Sequence, residues 1–398
     1  MDAKLTDSAG TVTNHENITE VVTKETPPPP PPGPIKLLKI TDEPYNAGED
    51  RTPAENFNAI KKCYADAKTQ RAQVEIPSGM SFRVGGTLTH DSITVFNNGE
   101  LLFDNMECGY YFKGSNSKLI GGTLSHEGLT IRGSQMWHHG IGIFDCDVFE
   151  ILDVHIVNPS AAGICCWDGR NGKIRNVTID NCLADGIHTV ASNDGASGNN
   201  FYKDCTVRGA GDDSLSFVTY GGYSDPNSVV HNVEVWNFRG SDSIWGRGIT
   251  LLGCTNIVVN GAILSNIFCF GLYSGVESGY GQRTDGILND IKLDICGHTA
   301  SADNPNDVPD GILMNGGTMQ VNDSLISRPK RYGLQRYWGN VITNNVIYNE
   351  CPWGDTHGQS GTYSFPRRGR KFDPPPRLLR RQEDKKAEAG AAEVGDNR

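Results

Sequence analysis

The chain has 398 residues, with 36 Lys plus Arg against 47 Asp plus Glu, 47 Gly and 8 % aromatic residues, the profile of a soluble globular protein. Its net charge of −11 speaks against nucleic acid as a partner, because affinity for phosphate backbones comes largely from neutralising them with Lys and Arg. No apolar run approaches the roughly 20 residues of a membrane span, so no membrane is implied.

Residues 1 to 26 are polar and carry no basic-then-apolar leader, so no Sec-type signal peptide is read, and a cytoplasmic location stays open. Pro27 to Pro32, then Gly33-Pro34, predict an extended spacer, making 1–34 a disordered leader or an attachment arm. Thr52-Pro53-Ala54-Glu55 has the N-cap, the N1 proline and the N3 glutamate of a capping box, and Phe57, Ile60, Tyr64 and Ala67 fall on one helical face. This predicts a short amphipathic helix that plugs the open end of a strand-rich body. Ser92-Ile-Thr-Val, Leu101-Leu-Phe, Lys118-Leu-Ile and Leu129-Thr-Ile then read as early strands. Trp137, His138 and His139 look exposed on one of these early turns, where an aromatic face would suit a sugar ring. Being adjacent on a strand, the two histidines would point to opposite faces, so no metal site is read from them.

From about residue 150 to 350 one pattern recurs, a β-branched strand following Asp, Asn or Gly. The first residues after that corner stand at 154, 177, 205, 233, 262, 291, 324 and 346, spaced by 23, 28, 28, 29, 29, 33 and 22. Ten residues after 154, 177, 205, 262 and 324 stand Ile164, Ile187, Leu215, Leu272 and Leu334; Ile249 and Ile312 follow at sixteen and twenty-one, the latter behind an outward loop at 299–309. Asn158, Asn181, Asn237 and Asn266 are assigned to one column, with Gly209 between, since Asn and Gly tolerate the left-handed turns of a solenoid. The expected fold is a parallel β-solenoid of about ten coils in one domain, 35–365. From Pro366 a basic, Pro- and Ala-rich tail runs to 398; without it the chain carries 26 Lys plus Arg against 41 Asp plus Glu, a net charge of −15. The eleven cysteines are odd in number, lack paired C-x-x-C spacing and mostly sit in apolar strands, as small buried hydrophobes do; neither disulfides nor a zinc cluster is read from them, and no cofactor is implied.

Register brings chemistry together. Two residues before the anchors stand Ala162, Asp185, Asp213, Arg247, Phe270, Asp310 and Tyr332, so Asp185 and Asp213 should stack roughly 4.8 Å apart, with Asp212 adjacent and Arg247 on the next coil. Like charges this close resist ionising together while Arg247 favours one ionised form, which yields an acid and a base at one pH. Cleaving a glycosidic bond needs those two roles. Asp185-Gly186 alone would be an ordinary solenoid turn; the Gly211-Asp212-Asp213 step beside it makes the case for catalysis. His188, Glu277, Tyr280 and Arg283 are secondary candidates for lining a sugar site, against the alternative of a solvated surface.

Ala184-Asp185-Gly186-Ile187-His188 and Gly211-Asp212-Asp213-Ser214-Leu215 resemble the Asn-Thr-Asp-Gly and Gly-Asp-Asp segments of polygalacturonases, right-handed parallel β-helices of the pectin-lyase-like superfamily. Tyr45-Asn46-Ala47-Gly48, the helix and Val74-Glu75-Ile76-Pro77 resemble the amino-terminal segment of the same superfamily, phage tailspikes included. The resemblance covers about residues 40 to 350 and implies an inverting glycoside hydrolase in which Asp212 protonates the leaving group while Asp185 and Asp213 activate water. The chain departs from polygalacturonases in having Gly246-Arg247-Gly248 for Gly-His-Gly and no Arg-Ile-Lys clamp, so polygalacturonate itself is not implied as substrate. Two alternatives stand beside hydrolysis. One is a polysaccharide lyase or epimerase with Arg247 or His188 as base; the other is a virion spike, extracellular or on the virion surface and in that case a possible homotrimer. Sugar specificity is expected in loops such as 240–246 and 299–309.

Overall fold

The computed structural model describes residues 5–6, 12–13, 35–192, 195–220, 229–275, 284–297 and 310–357. The chain divides into two units, Met1–Ile35 and Lys36–Arg398. In the first, Leu5–Thr6 pairs antiparallel with Val12–Thr13. The polyproline spacer and the 366–398 tail lie outside the described residues, as do Glu277, Tyr280, Arg283 and the 299–309 loop.

In the second unit every strand pairing among the described residues is parallel, and the strands fall into three ladders wound round one core. The third ladder positions the site. It stacks Ile141–Phe144, Ile164–Trp167, Ile187–Ala191, Leu215–Thr219, Ile249–Leu252, Leu272–Gly275 and Ile312–Asn322 in order. The anchors Ile164, Ile187, Leu215, Ile249, Leu272, Ile312 and Leu334 pair in succession, the two irregularly spaced ones included, and the register shifts only past Met314 in the last pair. These side chains point inward and are fully buried, with Cys166, Thr189 and Phe217 two residues further on. Outward residues of this ladder are buried as well: Cys165 packs with Val190, and Val218 with Leu252, Tyr273 and Leu313. The outward face is apolar at these positions and polar where His188, Ser216 and Thr250 stack. Nine of the eleven cysteines are buried and all are free, as their apolar neighbours suggest.

The corners explain the Asp and Asn residues. Asp153, Asn176, Asp204, Asn237, Gly261, Asp290, Asp323 and Asn345 all have φ between 50° and 79°, the left-handed region that these residue types tolerate best. Neighbouring corners bond to one another: Asn176 Nδ2 donates to Asp153 Oδ1 at 2.7 Å, Asn237 to Asp204 at 2.9 Å, and Asn345 to Asp323 at 2.8 Å.

One coil corrects the repeat. The corner residue after Asp204 in this stack is Asn237, not Asn232, because Thr206 pairs with Arg239 and Phe238 with Ala262. Position 238 therefore replaces 233 in the series. Asn237 likewise leaves the column of Asn158 and Asn181, where Asp242 takes its place beside Gly209 and Asn266; Asn266 Nδ2 donates to Asp242 Oδ1 at 2.6 Å. The cause is physical: Val230–Ser241 runs unbroken through two ladders, and Asn232 and Asn237 are successive left-handed corners, each followed by a buried apolar residue. Equal spacing selects the wrong one of the two.

The helix Pro53–Gln70 carries the expected capping box, with Thr52 Oγ1 accepting from Glu55 N at 3.3 Å and Glu55 Oε2 accepting from Thr52 N at 2.9 Å. It lies against the strands Ser81–Val84 and Leu88–Asp91. Ile60, Tyr64 and Ala67 are buried as expected, but Phe57 is only half-buried and Asn56 is buried instead. Its amide bonds the Gly48 and Arg83 carbonyls, at 3.0 and 3.1 Å. Leu129-Thr-Ile is not a strand: the strand of that coil is Thr123–His126, and residues after it form an outer loop. Trp137 and His138 sit on a one-turn helix, Met136–His138, rather than a strand, and His138 is buried because its Nδ1 accepts the Ser134 and Gln135 amides. His139 is half-buried, so of the three only Trp137 is exposed.

Candidate functional site

The site grows from the turn that enters the third ladder. Gly186 N bonds the Asp213 carbonyl at 2.8 Å and Ser214 N the Arg247 carbonyl at 2.8 Å, which stacks Asp185, Asp213 and Arg247 on consecutive coils. Gly211 and Gly246 permit the close stacking beside them. A Cβ on Gly246 would sit 2.0 Å from the Asp212 carbonyl carbon, and one on Gly211 2.4 Å from the Leu183 oxygen. The sequence therefore brings Asp185, Asp212, Asp213 and Arg247 to one patch, as the register implies.

The three acids live in different surroundings. Asp185 is 7 % exposed; Ser216 Oγ donates to its Oδ2 at 2.5 Å, and His188 Nδ1 lies 2.6 Å from both atoms. Burial alone would raise this carboxyl, but the His188 charge and hydrogen bond, with the Ser216 hydroxyl, hold it below the usual carboxylate range. Burial in turn works to lower His188, and the Asp185 charge and hydrogen bond outweigh it, keeping the imidazole above its ordinary value. Asp213 is 6 % exposed and accepts the Arg247 amide at 2.7 Å, with the guanidinium 3.8 Å away and lying over the Tyr273 ring at 4.1 Å. Burial pushes Asp213 up to about 7 against the pull of Arg247, with Asp185 and Asp212 adding to the rise. Asp212 is the most open of the three; burial and the Asp185 charge raise it, while Arg132, whose Nη2 lies 2.8 Å from its Oδ2, pulls it down.

His188 is thus part of the acid cluster rather than a solvated side chain, although it occupies the outward position expected of it. Register could have found Ser216: it follows Leu215 as His188 follows Ile187, and the two pair directly. Arg132 has no such signal. It lies eighty residues before Asp212 on the outer loop that reads as a strand in the sequence. His139 Nδ1 accepts the Ala162 amide at 3.0 Å, and burial together with the His188 charge lowers its pKa to about 3, so it stands neutral beside the cluster. One carboxylate is held ionised, two share a raised proton affinity, and cations flank both. Such a set can donate one proton and accept another across a small gap. Among the described residues no group of three or more His, Cys, Asp or Glu is placed to hold a metal ion.

No family model and no curated protein matches the sequence. Solved structures do. The catalytic unit of a thermostable GH87 alpha-1,3-glucanase from Streptomyces thermodiastaticus superposes with a TM-score of 0.58 at 14 % identity, over 83 % of this chain and 70 % of that one. A GH87 alpha-1,3-glucanase catalytic domain in complex with nigerose gives 0.55 at 15 %, over 86 % and 69 %. A tailspike protein of E. coli bacteriophage HK620 in complex with a pentasaccharide gives 0.56 at 12 %, over 81 % and 67 %. The fold is a right-handed parallel β-helix. Within this β-helix the acid cluster lies at the turn that leads into the third ladder, with Asp185 and Asp213 buried and Asp212 half-buried.

Proposed function

We propose that the chain is a polysaccharide-degrading glycoside hydrolase that inverts the anomeric centre and acts outside a cell or on a virion surface. The observation that supports it is the stacking of Asp185 on Asp213 beside Asp212, with proton affinities split by burial, His188 and Arg247. Asp212 and Asp213 together retain a proton toward neutral pH, and the more open Asp212 delivers it to the leaving oxygen. With the proton on Asp212, Asp213 is ionised and joins Asp185 in activating the water. Arg132 and Arg247 balance the charge that develops. The similarity to alpha-1,3-glucanases and a glycan-bound tailspike agrees with this reading at the level of fold.

The lyase alternative fits less well. His188 is held toward its cationic form by Asp185, and the Arg247 guanidinium lies over Tyr273 beside Asp213, so neither is disposed to take a proton. Incubation with a panel of acidic and neutral polysaccharides separates the readings. New reducing ends of inverted anomeric configuration, followed by proton NMR, are expected. Unsaturated products absorbing in the near ultraviolet would replace the hydrolase with the lyase.

A further inference from the structure

The turn at 242–246, just before Arg247, presents an indole to solvent beside the acids. Trp245 is 68 % exposed, yet the turn that carries it is firmly held. Ile244 N bonds the Ala210 carbonyl at 2.7 Å, Phe268 N bonds the buried Ser243 hydroxyl at 2.9 Å, and Cys269 N bonds the Gly246 carbonyl at 3.0 Å. Asn266 fixes Asp242 at 2.6 Å, and Gly246 is pressed against the Asp212 backbone. Phe268 braces the indole at 5.1 Å between ring centroids, tilted by 47°. On the preceding coil the turn position corresponding to Trp245 is Gly211, the residue before Asp212, which places the indole one coil from that acid.

We infer that Trp245 is a sugar-binding platform, a subsite that stacks on the apolar face of a pyranose ring next to the one being cleaved. A large aromatic exposed on a fixed turn loses little conformational entropy when a ring settles on it. Asp242 and Arg247 lie on the same turn, and Asp212 lies on the coil beside it, where Gly246 meets its backbone. An exposed indole on a turn that also carries hydrogen-bonding side chains suits a glycan, which has one apolar face and a rim of hydroxyls. The inference rests on the glycan-cleaving reading of the neighbouring acids.

The test uses the full chain carrying Asp212→Asn on an array of plant, fungal and bacterial polysaccharides. This chain is expected to capture at least one glycan; adding Trp245→Ala should weaken that capture by about tenfold or more, and adding Trp245→Phe by much less, with the melting temperature unchanged. In the active chain, Trp245→Ala should raise KM for that glycan more than it lowers kcat. Capture undiminished by Trp245→Ala, or no capture of any glycan, would overturn the subsite. If Asp212→Asn instead leaves sugar release intact while Trp245→Ala still abolishes capture, the acid roles are wrong and the platform stands.

Discussion

At the residue scale, the pattern that matters is unequal treatment of like groups. Asp185 and Asp213 occupy the same position on neighbouring coils, yet one is held ionised by Ser216 and His188 while burial carries the other to about 7. If these groups govern turnover, activity should fall at high pH as the Asp212–Asp213 pair, both members raised by burial, loses its shared proton, and at low pH as Asp185 is protonated below the usual carboxylate range. The low-pH limb belongs to Asp185, so removing a partner that stabilises its charge should move that limb upward. Ser216→Ala is expected to shift it by about one pH unit, since a hydrogen bond to a charged group contributes about 1.5 kcal/mol or more. A pH–rate profile checks this; an unmoved limb would detach Asp185 from the chemistry. The acids are legible from register alone. Arg132 is not, because a side chain on a distant outer loop leaves no periodic trace.

At the scale of the strand, the third ladder carries the site because its inward residues fix where its turns stand. Leu215 is fully buried between Ile187 and Ile249, two residues after Asp213. Leu215→Ala should cost about 2–5 kcal/mol of stability by leaving a cavity, and chemical denaturation would read it. Below the transition, activity should also drop, because the anchor that seats Asp213 is lost. The anchors are readable because each is an apolar residue just past a glycine-containing turn, and even irregular insertions leave that signature intact. The corner column is readable except at one coil. There two left-handed asparagines five residues apart satisfy the same pattern, and only the pairing of Thr206 with Arg239 distinguishes them. Local sequence marks a corner; it does not say which of several corners on a coil it is.

At the scale of the whole molecule, the glycine content and acidity of the sequence both trace to the solenoid. Tight stacking of turns demands glycine where backbones touch, as at Gly211 and Gly246, and the corners take Asp and Asn for their left-handed backbone. Part of the acidity is therefore architectural, and three of the aspartates stand apart because the winding gathers them beside Arg132, His188 and Arg247. This gathering is what we propose cleaves a glycan. Release of reducing ends by the full chain and by its Asp212→Asn variant, on a polysaccharide that the full chain degrades, tests it most directly. A loss of at least about a hundredfold is expected for the variant, the scale of a general acid's contribution, with an unchanged melting temperature. Equal release by the two proteins would contradict it.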